Sequence, residues 1–344
     1  MPTWLGIAPA PPTADVFRVR APGSRALVTG AAGFVGQWLC EDLVRRGWQV
    51  TGTSLTGDPG PGILSREHHA LVHWRREDLR DAGAIHAACD ASVPDVIFHL
   101  AGVAFVPAAG DDPMLAFDVN VGTAVRLLSE LRERRAAGTL DPVVVLVGSG
   151  EQYGRHDVVA MPLAEEAECR PCTLYAATKM AQEVFALEAF RSDGVRVICT
   201  RSFNHSGRGQ HPSFLLPALV QRALACRSAG GTRPAVAIGN TAVVRDFLHV
   251  ADVVNAYVLL AERGLEGEVY NVCSGQGVTV GEVACEVLRA AGVDAALEGD
   301  DALRRPVDLP VLVGRNDKLR AETGWTIQRT RADIISDLIH AAAR

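Results

Sequence analysis

Residues 26–36 read "ALVTGAAGFVG", a short apolar strand pattern that runs directly into three spaced glycines. Gly30 permits a tight turn after the strand, and Gly33 lets a diphosphate approach the backbone. Gly36 lets the following helix pack against the strand, and the start of that helix adds free amide donors and the positive end of its dipole. The stretch therefore predicts a dinucleotide-binding turn rather than a tight turn alone.

The chain around this stretch alternates, from residue 25 to 147, between short apolar runs and longer amphipathic stretches. The runs include "RALVTG", "WQVTGTSL", "DVIFHLAG" and "PVVVLVG", and the pattern continues with a helix near 174–191 and the strand "VRVICTRSF". Strands that are apolar on both faces and separated by helices indicate a parallel sheet covered on both sides. The sequence predicts an α/β fold with a doubly wound parallel Rossmann sheet, whose ligands lie at the carboxyl ends of the strands.

The regularity weakens after about residue 204, which indicates a second, smaller domain. We assign residues 25–203 plus about 237–272 to the NAD(P)-binding domain and residues 204–236 plus 273–344 to a C-terminal substrate-binding domain. Residues 1–24 are rich in proline and alanine and predict an extended N-terminal arm. The arm lacks the basic start and the apolar core of a signal peptide, so a cytoplasmic location is expected.

Composition excludes several classes of partner. The formal net charge of the 344 residues is −6 and no block is rich in lysine or arginine, so neither nucleic acid nor an anionic membrane is expected as the main partner. No apolar run approaches the roughly 20 residues of a membrane helix. Cys169 and Cys172 form a single C-x-x-C pair without a second pair to complete a zinc site, so no metal is predicted.

The end of the second predicted strand, "VTGTSLTGD", bears on the choice of cofactor. An acidic residue there would bind the ribose 2′-hydroxyl of NAD, but Thr53 and Ser54 occupy the position and Asp58 comes too late. This favours NADP(H), although no arginine is adjacent, and NAD(H) stays the alternative. Asp78, after the third strand, is either a hydrogen-bond partner of the adenine amino group or a helix cap.

The stretch "LYAATK" places Tyr175 and Lys179 four residues apart, on one face of a predicted helix. A phenol with a pKa of about 10 exchanges protons poorly at neutral pH, and a neighbouring ammonium group would lower that pKa. Such a pair can move a proton to or from a sugar oxygen while a hydride moves to or from nicotinamide.

The motifs, in this order and spacing, resemble the extended short-chain dehydrogenase/reductases of the nucleotide-sugar branch. The resemblance rests on "TGAAGFVG", "IFHLAG", "FDVNVGT", "GSGEQYG", "YAATK", "RSFNHSGRGQ", "VVRDFLHVADVVNAY", "YNVCSG" and "DKLRAETGW". The histidine of "FNH" is similar to the subset that acts on GDP-mannose and its derivatives. Within that subset, "NHSGRGQ" resembles the GDP-4-keto-6-deoxymannose reductases more than the GDP-mannose 4,6-dehydratases.

The resemblance implies a set of roles. Tyr175 is the expected proton donor, Ser149 its partner at the reacting oxygen, and Lys179 the residue that tunes Tyr175 and holds the nicotinamide ribose, with Glu151 as a fourth catalytic candidate. The implied cofactor-binding residues are Gly30, Gly33, Phe34, Val35, Gly36, Ser54, Asp78, Leu79, Leu100, Ala101, Gly102, Tyr175, Lys179 and Phe203. The implied substrate-binding residues are Ser149, Glu151, Asn204, His205 and the two diphosphate-binding arginines Arg245 and Arg305. A homodimer through the helices at about 114–136 and 174–191 is also implied.

Four functions stay open at this point. The leading one is NADPH-dependent reduction of the C4 ketone of a GDP-4-keto-6-deoxyhexose to a GDP-6-deoxyhexose of the GDP-rhamnose type. The alternatives are a GDP-mannose-type 4,6-dehydratase with Glu151 as the C5 base, a nucleotide-sugar 4-epimerase and a non-catalytic NADP-binding regulator. If the strand conformation persists through "VGSGEQYG", residues 147–154, Ser149 and Glu151 point to the same side.

Overall fold

The computed structural model describes residues 22–104, 106–229, 235–304 and 307–343. Most of the predicted N-terminal arm and Arg305 lie outside these ranges. The strands are β1 (Arg25–Thr29), β2 (Gln49–Ser54), β3 (Val72–Arg76), β4 (Val96–His99), β5 (Val143–Ser149), β6 (Val197–Ser202), β7 (Asn204–Ser206), β8 (Ala235–Ile238), β9 (Val244–His249), β10 (Val269–Val272), β11 (Gly277–Thr279), β12 (Ala296–Gly299) and β13 (Val311–Leu312). The helices are α1 (Phe34–Arg45), α2 (Arg66–Ala70), α3 (Ala82–Ser92), α4 (Val106–Asp111), α5 (Pro113–Phe117), α6 (Thr123–Ala136), α7 (Leu174–Asp193), α8 (Leu215–Ala229), α9 (Val250–Arg263), α10 (Val280–Ala290), α11 (Asp317–Thr323) and α12 (Arg331–Ala342).

Seven strands form the central sheet, in the order β10-β6-β5-β4-β1-β2-β3, and every neighbouring pair is parallel. The chain runs outward from β1 through β2 to β3, then returns to the other side of β1 to add β4, β5 and β6. The order therefore reverses between β1 and β4, which is the place where open α/β sheets bind ligands. The predicted doubly wound Rossmann sheet is confirmed.

Both faces of this sheet are covered, which explains why its strands lack polar alternation. Side chains of β4 and most of β5 are buried. One hydrophobic core joins the sheet to α1 and α9, and a second joins its other face to α3, α6 and α7. A strand buried on both faces needs apolar residues throughout.

The second half of the chain builds smaller sheets beside the first. Strand β9 pairs with β7, β11 and β13, strand β12 pairs with β8, and a third apolar core forms among α8, α10 and α12. The division into two domains stays a prediction. The structure places β9 outside the seven-stranded sheet, although the predicted boundary at about 237 assigns it to the cofactor-binding domain, whereas β10 joins that sheet.

The predicted helix over 114–136 is wrong in one respect, because it is interrupted. A π-helical turn, Asp118–Gly122, separates α5 from α6. Asn120, buried in this turn, accepts a hydrogen bond from the Val103 nitrogen at 2.8 Å and donates one to Thr178 Oγ1 at 2.8 Å. The wider turn thus presents a polar side chain to α7, as π-helical turns often do at functional sites.

The described residues contain neither a candidate membrane span nor a candidate metal cluster. No helix in these ranges combines the length and apolarity needed to cross a membrane. No cluster of three or more His, Cys, Asp or Glu side chains in the same ranges could hold a metal ion.

Candidate active site

A cavity of about 790 Å³ lies at the carboxyl ends of the central strands and extends toward α8 and β9. Every predicted site residue within the described ranges lines it. The fold therefore brings together the glycine turn, the end of β5, the start of α7 and the segment after β6. Arg305 is the one predicted site residue outside the described residues.

The glycine turn leaves no room for side chains at two of its positions. Gly30 has a φ of +68°, and a Cβ there would lie 2.9 Å from the Ala101 nitrogen. A Cβ on Gly36 would lie 2.4 Å from the Gly30 oxygen. Gly33 is the residue before the first turn of α1, so the free amide groups of that turn face the cavity. This geometry fits the diphosphate of a dinucleotide.

The end of β2 adds a polar group that is otherwise unexplained. Thr53 is fully buried and lines the cavity, yet its Oγ1 has no hydrogen-bond partner among the described residues. Buried hydroxyl groups are normally hydrogen-bonded, so an unpaired one that lines a cavity fits a bound ligand. From the sequence alone, Thr53 was notable only because it stands where an NAD-binding site would have an acidic residue.

Asp78 also lines the cavity, but its carboxylate is bound by Arg80. The guanidinium contacts Asp78 Oδ2 at 2.5 Å and Oδ1 at 2.9 Å, and these bonds hold the pKa of Asp78 below its usual value. The residue before α3 is Asp81, so Asp78 does not cap that helix. A hydrogen bond to adenine stays a prediction.

Strand β5 ends at Ser149, and this changes the expected relation between Ser149 and Glu151. A 3-10 turn, Gly150–Tyr153, follows at once, so the alternation of an extended chain does not reach Glu151. The expectation that strand geometry sets both side chains on one side is wrong for this reason. Ser149 and Glu151 nevertheless both line the cavity, and Ser149 Oγ accepts a hydrogen bond from the Glu151 nitrogen at 3.2 Å.

Tyr175 lies in the first turn of α7, where Thr173 caps the helix by accepting a bond from the Ala176 nitrogen at 3.1 Å. The phenol is buried and lies beside the Ser149 side chain, which lines the same cavity. Burial raises the pKa of Tyr175 to about 12, and the neighbouring Ser149 side chain acts in the opposite sense without outweighing burial. The predicted lowering of this pKa by Lys179 is not seen in this structure, and the phenol is protonated at neutral pH.

Lys179 is buried one turn further along α7 and is held by the end of β5. Its Nζ donates to the Val147 oxygen at 3.0 Å and to Gln182 Oε1 at 3.3 Å. Burial lowers the pKa of Lys179 to about 8. Gln182 donates to the same Val147 oxygen at 2.9 Å, so two side chains of α7 fix the helix to the strand that carries Ser149.

Sequence reasoning missed Gln152, which is fully buried beside Ser149. Its Oε1 accepts a bond from the Ser149 nitrogen at 2.8 Å, and its Nε2 donates to Glu183 of α7 at 2.8 Å. Glu183 in turn pairs with the buried Arg201 at 2.7 Å. The spacing S-x-x-Q in "SGEQ" is a capping-box pattern and could have identified Gln152.

The segment after β6 brings Asn204 and His205 to the cavity on β7. Asn204 Nδ2 donates to the Asp246 oxygen at 3.4 Å. The His205 ring is stacked on Phe34 with centroids 6.3 Å apart, and its Nδ1 is 2.9 Å from the Phe203 oxygen. Burial lowers the pKa of His205, which makes the ring neutral, with Nδ1 as donor to Phe203 and Nε2 as acceptor.

Two arginines line the far end of the cavity. Arg245 is buried, donates to Asp308 Oδ1 at 2.7 Å and to the Leu309 oxygen at 2.7 Å, and therefore has a fixed position. Arg222 of α8, which sequence reasoning missed, donates to the Ala237 oxygen at 3.0 Å. Arginine forks of this kind suit phosphate groups.

Comparisons with known proteins agree with this geometry. The profile of the NAD dependent epimerase/dehydratase family matches residues 26–273. The GDP-6-deoxy-D-mannose reductase of Pseudomonas aeruginosa is 35% identical over 317 residues, which are 91% of this chain and 96% of that protein. The UDP-glucose 4-epimerase of Azospirillum brasilense is 28% identical over 91% of this chain and 90% of that protein. The structure of RMD from Pseudomonas aeruginosa complexed with NADPH superposes with a TM-score of 0.79 at 27% identity, over 93% of this chain and 100% of that one.

Proposed function

The chain belongs to the NAD dependent epimerase/dehydratase family and is an oxidoreductase, and on that premise we propose that it reduces the C4 ketone of a GDP-4-keto-6-deoxyhexose with NADPH. The product is a GDP-6-deoxyhexose of the GDP-rhamnose type. The observation that carries the proposal is that Ser149, Tyr175 and Lys179 line the same cavity as the glycine turn. The 35% identity to a GDP-6-deoxy-D-mannose reductase supports this choice of substrate.

The cofactor site in this proposal consists of groups described above. The first turn of α1 and Gly33 hold the diphosphate, and Thr53 and Ser54 lie at the adenosine ribose. When bound there, NADPH would supply the hydride for the reduction of C4. NADP(H) is favoured because the end of β2 carries no acidic residue and because a similar structure holds NADPH, while NAD(H) stays the alternative. The reaction would use the cytoplasmic pool of cofactor, in keeping with the location predicted from the sequence.

The proton in this reaction comes from Tyr175. A phenol with a pKa raised to about 12 is protonated at neutral pH and can donate to the C4 oxygen as the carbonyl becomes an alkoxide. Ser149, which lies beside the phenol, donates to the same oxygen and fixes its position. Lys179 lies one turn further along α7, and its Nζ would hold the nicotinamide ribose of the cofactor beside the phenol.

The nucleotide sugar would occupy the part of the cavity between β7 and α8. Arg245 and Arg222 supply positive charge for its diphosphate, and Arg305 stays a prediction for the same role. His205 presents a neutral acceptor, which suits a hydroxyl group better than a phosphate oxygen.

One experiment tests the proposal. The purified protein is incubated with GDP-mannose alone and, separately, with GDP-4-keto-6-deoxymannose plus NADPH. The expected result is loss of reduced-cofactor absorbance in the second mixture only. A 4-keto product from GDP-mannose without added cofactor would contradict the proposal. No turnover in either mixture, with cofactor still bound, would point to another sugar or to a non-catalytic regulator.

A 4,6-dehydratase is the second candidate, because Glu151 lines the cavity two residues beyond Ser149. That reaction oxidises C4, removes the C5 proton, expels the C6 hydroxyl and returns the hydride to C6, so it needs a base that a reductase does not.

A 4-epimerase is the third candidate, supported by the 28% identity to a UDP-glucose 4-epimerase. UDP-glucose without added cofactor tests it by formation of UDP-galactose.

We also propose that the enzyme is a homodimer. The helices that the family resemblance assigns to the interface carry large exposed apolar side chains, namely Met114 and Phe117 on α5 and Val184 and Phe185 on α7. Burying such side chains against a second copy would stabilise the pair. Light scattering should give twice the mass of one chain, and Phe185→Lys together with Val184→Lys should give a folded monomer. A monomeric wild-type protein would contradict this.

A further inference from the structure

We propose that Arg76 selects NADP(H) over NAD(H) by binding the 2′-phosphate from strand β3, next to the strand end where such a residue is normally sought. The inference rests on the proposed use of NADP(H). It concerns cofactor binding alone, so it can be tested without any sugar substrate.

The sheet register places Arg76 beside the adenosine ribose position. Strands β2 and β3 are parallel, and Ser54, the last residue of β2, pairs with Arg76, the last residue of β3. Ser54 and the following Leu55 line the cavity. Ser54 and Arg76 are distant in sequence, so no arginine stands directly after β2.

A direct contact fixes the guanidinium at this strand end. Arg76 Nε donates to the Leu55 oxygen at 3.2 Å. The loop also packs on the stem of the side chain, because a Cβ on Gly57 would lie 3.3 Å from Arg76 Cβ. The contact with Leu55 uses only the Nε–H donor of the guanidinium. The N–H donors of the two terminal Nη groups can therefore still bind a phosphate.

The neighbouring arginines are already neutralised by carboxylates. Arg75 pairs with Glu77 at 2.5 Å and Arg80 pairs with Asp78 at 2.5 Å. Arg76 has no carboxylate within ion-pair distance in the part of the chain that the structure describes. Among these three arginines, Arg76 therefore has the positive charge most available to a dianionic phosphate.

Asp58, the acidic residue in the loop after β2, already has hydrogen-bond partners within the protein. Asp58 Oδ1 is 2.7 Å from His69 Nε2 and accepts a bond from the Gly60 nitrogen at 2.7 Å. Neither Asp58 nor Arg76 lines the cavity, so their contacts decide between them. The Asp58 carboxylate is held by His69 and the Gly60 nitrogen, whereas the Arg76 guanidinium contacts Leu55, which does line the cavity.

The test is a titration of the purified protein, followed by intrinsic fluorescence, with NADPH and with NADH. Adenosine 2′,5′-bisphosphate and adenosine 5′-phosphate, which differ only in the 2′-phosphate, are the second pair of probes. Arg76→Ala should weaken binding of NADPH and of the bisphosphate about tenfold or more, the typical effect of losing charged hydrogen bonds. Binding of NADH and of the monophosphate should stay unchanged.

Three further variants sharpen the test. Ser54→Asp introduces the missing carboxylate and should also weaken NADPH selectively. Arg66→Ala removes an exposed charge at the start of α2, outside the cavity, and should change neither cofactor. Arg80→Ala tests the competing arginine that lines the cavity, and it should not cause a selective loss of NADPH.

The inference is overturned if the wild-type protein binds both cofactors equally, if Arg76→Ala weakens both alike, or if Arg80→Ala alone gives the selective loss. A protein that binds NADPH through Arg76 but does not reduce the keto sugar would instead contradict the proposed function and leave this inference intact.

Discussion

The side-chain oxygen of Gln152 accepts a hydrogen bond from the backbone nitrogen of Ser149 at 2.8 Å. This bond closes the turn after β5, and the amide nitrogen of the same side chain reaches Glu183 on α7. The strand that carries Ser149 and the helix that carries Tyr175 are thus joined through one buried glutamine. That joint helps to set the position of Ser149 relative to Tyr175.

Gln152→Ala should lower kcat about tenfold while the KM for NADPH changes little, because the variant disturbs the position of Ser149 and leaves the cofactor turn intact. It also leaves the buried Ser149 nitrogen without a partner, which costs about 1–3 kcal/mol, whereas the Glu183 carboxylate keeps its pair with Arg201. Steady-state kinetics and urea unfolding measure the two effects. Gln221→Ala, an exposed glutamine on α8, is the matched control and should change neither. A wild-type kcat in Gln152→Ala would show that Ser149 does not depend on this bond.

Arg201→Met should destabilise the fold by about 3–5 kcal/mol, because it leaves the buried carboxylate of Glu183 without its charge partner. Arg201 also donates to the Glu165 oxygen at 3.0 Å and lies over the Tyr153 ring at 4.8 Å. The free energy of unfolding in urea measures the change. Adding Glu183→Gln to Arg201→Met should restore part of the loss, since the uncharged amide is cheaper to bury than the lone carboxylate.

A surface pair provides the comparison for that prediction. Arg170 and Glu168 are 2.7 Å apart with side chains more than half exposed. Arg170→Met should therefore change stability by less than about 1 kcal/mol. Equal losses in the buried and the surface variant would show that the Arg201 pair contributes no more than an exposed one.

Lys179→Met should stabilise the cofactor-free protein at pH 7. Burial lowers the pKa of Lys179 from an ordinary 10.5 to about 8, so the unfolded chain binds more protons between these values and stability rises with pH across that window. The penalty is fully present below pH 8, where it amounts to about 3 kcal/mol before the lost hydrogen bonds are subtracted. The Val147 oxygen keeps its bond from Gln182, so little else is lost.

Urea unfolding at pH 7 and pH 10 checks this prediction. The advantage of Lys179→Met over the wild-type protein should be larger at pH 7 and should shrink toward pH 10, where the wild-type lysine is largely neutral. The same variant should lose most of its activity, because the side chain that would hold the nicotinamide ribose is gone. A stability difference that is the same at both pH values would contradict the assigned cause.

The sequence predicted those parts of the site that depend on local pattern. The turn at Gly30–Gly36 follows from the strand, the glycine spacing and the helix start, and the pair of Tyr175 and Lys179 follows from helical periodicity. The parallel sheet follows from runs that are apolar throughout. Each of these signals lies within a few residues of the feature that it predicts.

The features that sequence reasoning missed depend on contacts between distant segments. Arg76 reaches the end of β2 only because of the sheet register, and Gln152 meets Glu183 only because α7 packs on the end of β5. The interruption around Asn120 likewise depends on partners in a loop and in another helix. The turn after Ser149 could have been predicted from its capping box, whereas the burial that raises the pKa of Tyr175 could not.

Glu151→Gln and Tyr175→Phe together should separate the reductase from the dehydratase. In a reductase the proton comes from Tyr175, and Glu151 at most contacts the sugar, so Glu151→Gln should reduce turnover without abolishing it. Tyr175→Phe removes the donor and should abolish turnover while NADPH still binds, which fluorescence titration checks. In a dehydratase the C5 proton must be removed, and an amide cannot accept it, so Glu151→Gln would abolish product formation. Complete loss in Glu151→Gln, with an unchanged unfolding transition, would therefore favour the dehydratase.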